Sequence, residues 1–146
     1  MHQVTTGDSA AADEPTVVVH HRLHADFCVR FPRLRRALGA GSGLELDADG
    51  LRVRFGPWLV TTPLGNIAGA EVSGPFSPVR ALGVRLSLAD RGLTFGTTTE
   101  GGVCLRFREP VRGIDPWGLI RHPGLTVTVC EPDLVAEAIN RVVAQA

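Results

Sequence analysis

The chain has 146 residues, an apolar fraction of 44%, and 15 basic against 15 acidic side chains. That length and composition suit one ordinary domain with a real core, and a formal net charge of zero gives no overall pull toward nucleic acid or an anionic membrane, although a neutral total can hide a charged face. All 15 basic residues are arginine and tyrosine is absent, which excludes Schiff-base lysine chemistry, the phosphate-binding lysine of a P-loop and a tyrosine general acid.

Arginine in place of lysine is what GC-rich codon usage produces, so it is not by itself a sign of selection for bidentate contacts. The three cysteines, Cys28, Cys104 and Cys130, are odd in number and widely spaced, which argues against a disulfide framework or a zinc knuckle. The first residues, MHQVTTGDSAAADEP, have neither a basic start nor an apolar core, and no later stretch approaches eighteen consecutive apolar residues. The expectation is a soluble, cytoplasmic protein without stable membrane insertion, with residues 1–15 as a disordered tail and residues 16–146 as a single domain.

From Val17 to Phe31 apolar residues dominate alternate positions, a period of two that predicts one long strand. Within it, His20 and His24 would share a face only on a helix. On a strand they stand roughly 13 Å apart, too far for one zinc ion, so no metal site is expected. A short helix is predicted in Arg33–Gly43, after Pro32 and before the glycines. The stretch GAGSG around Ser42 matches neither a nucleophile elbow nor a dinucleotide loop, and Asp47–Gly50 lacks the remaining ligands of a calcium loop.

Alternation returns in Leu51–Phe55, in Val84–Leu88 and in Val103–Phe107. Turn chemistry at Asp49–Gly50, Gly56–Pro57 and Asp90–Gly92 cuts these runs into hairpins. Arg52, Arg54, Arg106 and Arg108 fall on polar faces, with Arg22, Arg30 and Arg85, and few acids share their strands. The result is either a solvated face or a surface for an acidic partner or phosphate. The cysteines fall on the same parity, so part of that face is expected to be covered by the helix, the long loop or a second subunit.

Two further strands flank a sixteen-residue connector, Arg108 to Pro123, long enough to suggest a role beyond connection. Ile114, Trp117, Leu119 and Ile120 would anchor it to the core while Arg112, Asp115, Arg121 and His122 face outward, Asp115 holding a local turn. On the functional reading Arg121 and His122 present paired donors to an acidic group, more strongly as His122 protonates below about pH 6.5. Asp115 and His122 could also be an acid and a base, but no serine or cysteine stands beside them. The chain ends in EPDLVAEAINRVVAQA, where Pro132 opens a helix whose apolar stripe is Leu134, Val135, Ala138, Ile139, Val142 and Val143, with Glu137 and Arg141 opposite at i, i+4.

The segment LRVRFGPWLVTTPLGNIAGAEV, with Gly56, Pro57, Trp58, Pro63, Leu64, Ile67 and Val72, resembles bacterial pleckstrin-homology-like domains. The ending GLTVTVCEPDLVAEAINRV resembles the last strand and closing helix of that fold. Leu51–Arg141 is also similar to an uncharacterised family of high-GC bacteria in which LSLADRGLTF, GVCLRFREPV and RHPGLTVTV recur. The resemblance implies a mainly β (α+β) fold: a bent antiparallel barrel or sandwich of about seven strands, pleckstrin-homology-like, capped by a C-terminal helix. The lysine-rich first hairpin of the lipid-binding members is absent.

With no acid, base and nucleophile converging, the first reading is a non-catalytic binding or assembly module for a protein or acidic partner, or for self-association. The alternative is a small-ligand barrel or enzyme with its mouth at Trp58, Trp117 and His122. Candidate binding residues are therefore Asp115, Trp117, Arg121, His122, Trp58, Arg52, Arg54, Arg106 and Arg108, with no cofactor, metal or nucleic acid implied and any small-molecule ligand left open.

Overall fold

A computed structural model of the chain describes residues 17–19, 22–29, 32–39, 41–75, 83–86, 91–98, 100–115 and 117–145. The expected tail, residues 1–15, lies outside them, as do His20, His21 and Arg30. In chain order the elements are β1 (Val17–Val19), β2 (Arg22–Ala25), α1 (Pro32–Leu38), β3 (Gly43–Asp47), β4 (Gly50–Phe55), β5 (Trp58–Thr62), a single 3₁₀ turn (Leu64–Asn66), β6 (Ile67–Ser73), β7 (Gly83–Leu86), β8 (Leu93–Gly96), β9 (Gly102–Arg112), β10 (Arg121–Val127) and α2 (Pro132–Ala144).

The strands form two five-stranded sheets, ordered β1-β2-β3-β4-β5 and β6-β9-β10-β8-β7. The fold is mainly β with a C-terminal helix, as expected, and of the two architectures weighed it is the sandwich: the sheets do not close into a barrel. Ten strands are described rather than about seven. Nor is the pairing antiparallel throughout, because β8 and β10 run parallel.

Alternation dictates the core. Leu51, Val53 and Phe55 of β4, Val103, Leu105 and Phe107 of β9, and Leu125 and Val127 of β10 all point inward and are buried. Phe55 links the sheets, with Phe27 edge-on at 5.0 Å between ring centroids and Phe95 stacked at 5.0 Å, both within the usual range for favourable aromatic pairs. The chain also crosses between sheets at the isolated bridge Phe27↔Val129.

Helix α2 fills the remaining gap, contacting β2 of one sheet and β6 and β9 of the other. Val135, Ala136, Ala138, Ile139 and Val142 are buried; Leu134 and Val143, at the margins of the predicted stripe, are half-buried. On its solvent side Arg141 meets Glu137 at 2.8 Å. Asn140 clamps the backbone of β6: its Nδ2 donates to the Ala70 carbonyl and its Oδ1 accepts from the Ala70 N–H, both at 2.9 Å. One side chain thus satisfies both backbone groups of a residue in an edge strand.

Two strand expectations are corrected. The single strand Val17–Phe31 is a hairpin, β1 against β2 in the register Val19↔Arg22, followed by an irregular run that holds Phe27. Only two residues link these strands, and such a link inverts the alternation, but Val17, Val18 and Val19 are all apolar and fit either phase. The sixteen-residue connector is also shorter than expected, because β9 continues to Arg112 and β10 begins at Arg121. Pro110 and Pro123 mimic strand ends, but both lie in an irregularity where the register jumps from His122↔Val111 to Gly124↔Arg106, so neither proline has to donate to a regular ladder.

Candidate functional site

The β9–β10 irregularity leaves part of β9 without a partner on β10. Asn66, from the 3₁₀ turn, supplies the missing pairing: its Nδ2 donates to the Glu109 carbonyl at 3.0 Å and its Oδ1 accepts from the Glu109 N–H at 2.8 Å. A further bond from Nδ2 to Thr62 Oγ1 at 2.9 Å ties the same side chain to β5. Arg108 donates from Nε to the Gly65 carbonyl at 3.1 Å. Between these walls lies a cleft of about 700 Å³, lined among others by Thr61, Asn66, Arg108, Glu109, Arg112 and Arg121. Three of its lining residues are cationic and one is anionic.

Arg112 and Arg121 are direct cross-strand partners. Both are exposed, and among the described residues neither forms an ion pair. Like charges placed directly opposite destabilise a strand pair, so this arrangement has an electrostatic deficit that an anion would relieve.

Gly113–Ile120 joins the two strands, and Asp115 organises it. Its Oδ1 accepts the Trp117 N–H at 3.0 Å, and its Oδ2 accepts those of Leu119 at 2.5 Å and Ile120 at 3.1 Å. The Trp117 bond is the first cause holding this carboxyl below its ordinary pKa; those of Ile120 and Leu119 and the nearby Arg112 charge act in the same direction, against partial desolvation. Gly118 has φ +69°, and the Arg112 guanidinium lies against it where a side chain would stand. The expected local turn at Asp115 is present.

The expected anchors are not. Only Ile114 packs on the core; Trp117 is 76% exposed, Leu119 82% and Ile120 38%. Three large apolar side chains therefore stand in solvent on a loop whose backbone is tied down by one carboxylate. Exposed large apolar side chains gathered on one short loop are a feature of contact surfaces.

His122 moves the other way. It was expected to face outward beside Arg121 but is fully buried, because adjacent strand residues point to opposite faces. Its Nδ1 donates to the Arg91 carbonyl at 2.7 Å, and its Nε2 has no partner among the described residues. A side chain added at Gly113 would collide with the imidazole and with Leu93. Paired outward donors at Arg121 and His122 are thus ruled out, and the Asp115 oxygens are engaged by the N–H groups of their own loop rather than by His122.

Trp58 is half-buried and packed against the core, Trp117 is exposed and His122 is buried, so the three side chains sit in different environments. The arginine face is also less bare than the strands suggested. Glu45 stands opposite Arg52 and lies 3.7 Å from His24, and Arg106 is paired with Glu71. The half-buried Arg54 packs along Gly41. Among the described residues Arg108, Arg112 and Arg121 form no ion pair, although the Asp115 charge lies near Arg112.

Cys28 and Cys130 flank the Phe27↔Val129 bridge. The Cys130 thiol is pushed far above its ordinary pKa, first by its contact with Cys28, then by burial and by the negative charges of Asp26 and Glu131. It is a poor nucleophile at neutral pH. Among the described residues no group of three or more His, Cys, Asp or Glu side chains could hold a metal ion, and no helix is long and apolar enough to cross a membrane.

Sequence reasoning missed Asn66 and Asn140, whose roles depend on strand edges that only the folded chain creates. It assigned Arg112 to the outward set but did not foresee that it would face Arg121. No family model, curated protein or solved structure matches the chain.

Proposed function

We propose that the chain is a non-catalytic binding module that receives an acidic partner at the β9–β10 end, acting in the cytoplasm. The observation that carries this reading is the Arg112–Arg121 pair: two exposed arginines in register, neither in an ion pair among the described residues, at the mouth of a cleft that Arg108 also lines. Guanidiniums in that arrangement offer planar, charge-assisted donors to carboxylate or phosphate oxygens. Asp115 fixes the adjoining loop before any partner arrives, which lowers the ordering cost of association. The resemblance to pleckstrin-homology-like domains supports binding rather than catalysis.

A polyglutamate titration of the chain carrying Trp58→Phe, followed by the fluorescence of Trp117, tests this. The expected result is saturable binding that weakens with added salt and is lost in Arg112→Gln/Arg121→Gln. Binding indifferent to that double replacement would place the surface elsewhere.

A further inference from the structure

We infer that the β9–β10 end is a docking surface for an anionic phospholipid membrane, with Trp117 and Leu119 entering the interface and Arg108, Arg112 and Arg121 meeting the phosphates. This rests on the binding reading above and names the partner's chemistry. Four observations carry it.

The apolar side chains are at the tip of a hairpin connection and are among the large hydrophobic residues most open to solvent, at 76% for Trp117 and 82% for Leu119. A convex apolar tip can enter a fluid interface without a matching pocket, whereas a protein partner would have to supply one. Tryptophan is also the side chain that favours the boundary between headgroups and acyl chains.

The cations stand at the base of that tip. Arg112 and Arg121 are the first residues on either side of the Gly113–Ile120 loop, and Arg108 lines the same cleft. Apolar insertion and a basic rim are the two ingredients of reversible interfacial binding, and each alone is weak.

Acidic groups that would oppose approach are few. The Asp115 carboxylate accepts three backbone N–H groups of its own loop, and Glu109 is the one acid lining the cleft. Finally, the loop is held in its exposed shape: Asp115 ties both its middle and its end, so the tip cannot fold back to hide its apolar side chains.

The test uses the full chain carrying Trp58→Phe, which leaves Trp117 as the only tryptophan, and vesicles of phosphatidylcholine alone or mixed equally with phosphatidylglycerol. The expected result is co-sedimentation with the mixed vesicles only, a blue shift of Trp117 emission on binding, and release in about 0.5 M NaCl. Arg112→Gln/Arg121→Gln should lower the partition coefficient by about 30-fold, from the usual attraction of one arginine to an anionic surface. Leu119→Asp, a replacement at an exposed site that leaves the fold intact, should abolish sedimentation with the arginines still present.

Absence of binding to mixed vesicles, or Leu119→Asp binding as well as the parent, overturns the membrane assignment. If polyglutamate still binds through Arg112 and Arg121 in that case, the partner is an acidic protein segment and the module reading stands. If neither probe binds, both readings fall.

Discussion

Arg112 and Arg121 stand directly opposite one another on β9 and β10, and among the described residues neither is neutralised by an ion pair. A cross-strand pair of like charges is unfavourable, and an opposite-charge pair at the same position is favourable by a few tenths of a kcal/mol or more. Arg121→Glu should therefore stabilise the fold, by about 0.5 kcal/mol on urea titration, while abolishing capture of acidic probes. A variant that loses stability would mean that Arg121 has a structural role the cleft geometry does not reveal.

Asp115 makes the loop sensitive to acid. Because its folded pKa is lowered from the ordinary 3.8, its stabilising effect is complete above that value and is lost as pH falls through the folded value. The protection of the Trp117, Leu119 and Ile120 amides, measured against the free-peptide exchange rate at the same pH, should hold at neutral pH and fall only below the ordinary 3.8. In Asp115→Ala those amides should lack protection at every pH while the core strands remain protected. Slow exchange in that variant would show that something other than the carboxylate holds the loop.

Asn66 sets the shape of the cleft by pairing with both backbone groups of Glu109. Asn66→Ala removes those two bonds and the one to Thr62, in a part-exposed setting where water can replace some of them. A loss of about 1–2 kcal/mol is expected, with chemical-shift changes concentrated on residues 107–112. Asn66→Asp, which keeps the acceptor for the Glu109 N–H but cannot donate to its carbonyl, should fall between the two.

Much of the fold could be read from period and turn chemistry. The inward residues of β4, β9 and β10, the hairpin joints at Asp49–Gly50 and Gly56–Pro57, and the buried stripe of α2 all follow from local rules, because each element buries one face. What escaped depended on irregularity. The two-residue link between β1 and β2 inverts the alternation, but three consecutive valines, Val17 to Val19, fit either phase and hide the reversal. At Pro123 the alternation of β10 breaks: His122 points inward, and so do Leu125 and Val127. Extending the phase of Leu125 backward therefore puts His122 on the wrong face. Trp117 and Leu119 were assigned to the core on hydrophobicity alone, and no local rule distinguishes an anchor from an exposed contact residue.

Closure by α2 is tested at Ile139, which is fully buried. Ile139→Asp puts an unpaired carboxylate among Val135, Val142 and the sheet residues, at an expected cost of about 3–5 kcal/mol. Urea unfolding should show a much lower midpoint with a similar slope. An unchanged midpoint would mean that the helix does not close the sandwich in solution.

The central claim is that the β9–β10 end receives an acidic partner, and backbone amide NMR tests it most directly. Titration of the labelled chain with polyglutamate should move the signals of Arg108, Arg112, Trp117, Leu119 and Arg121 together, with one apparent Kd that rises as salt is added. The signals of β3 and β4, including Arg52 and Arg54, should stay in place. Shifts centred on Arg52 and Arg54, with the loop unmoved, would contradict the account and transfer the binding surface to the opposite sheet.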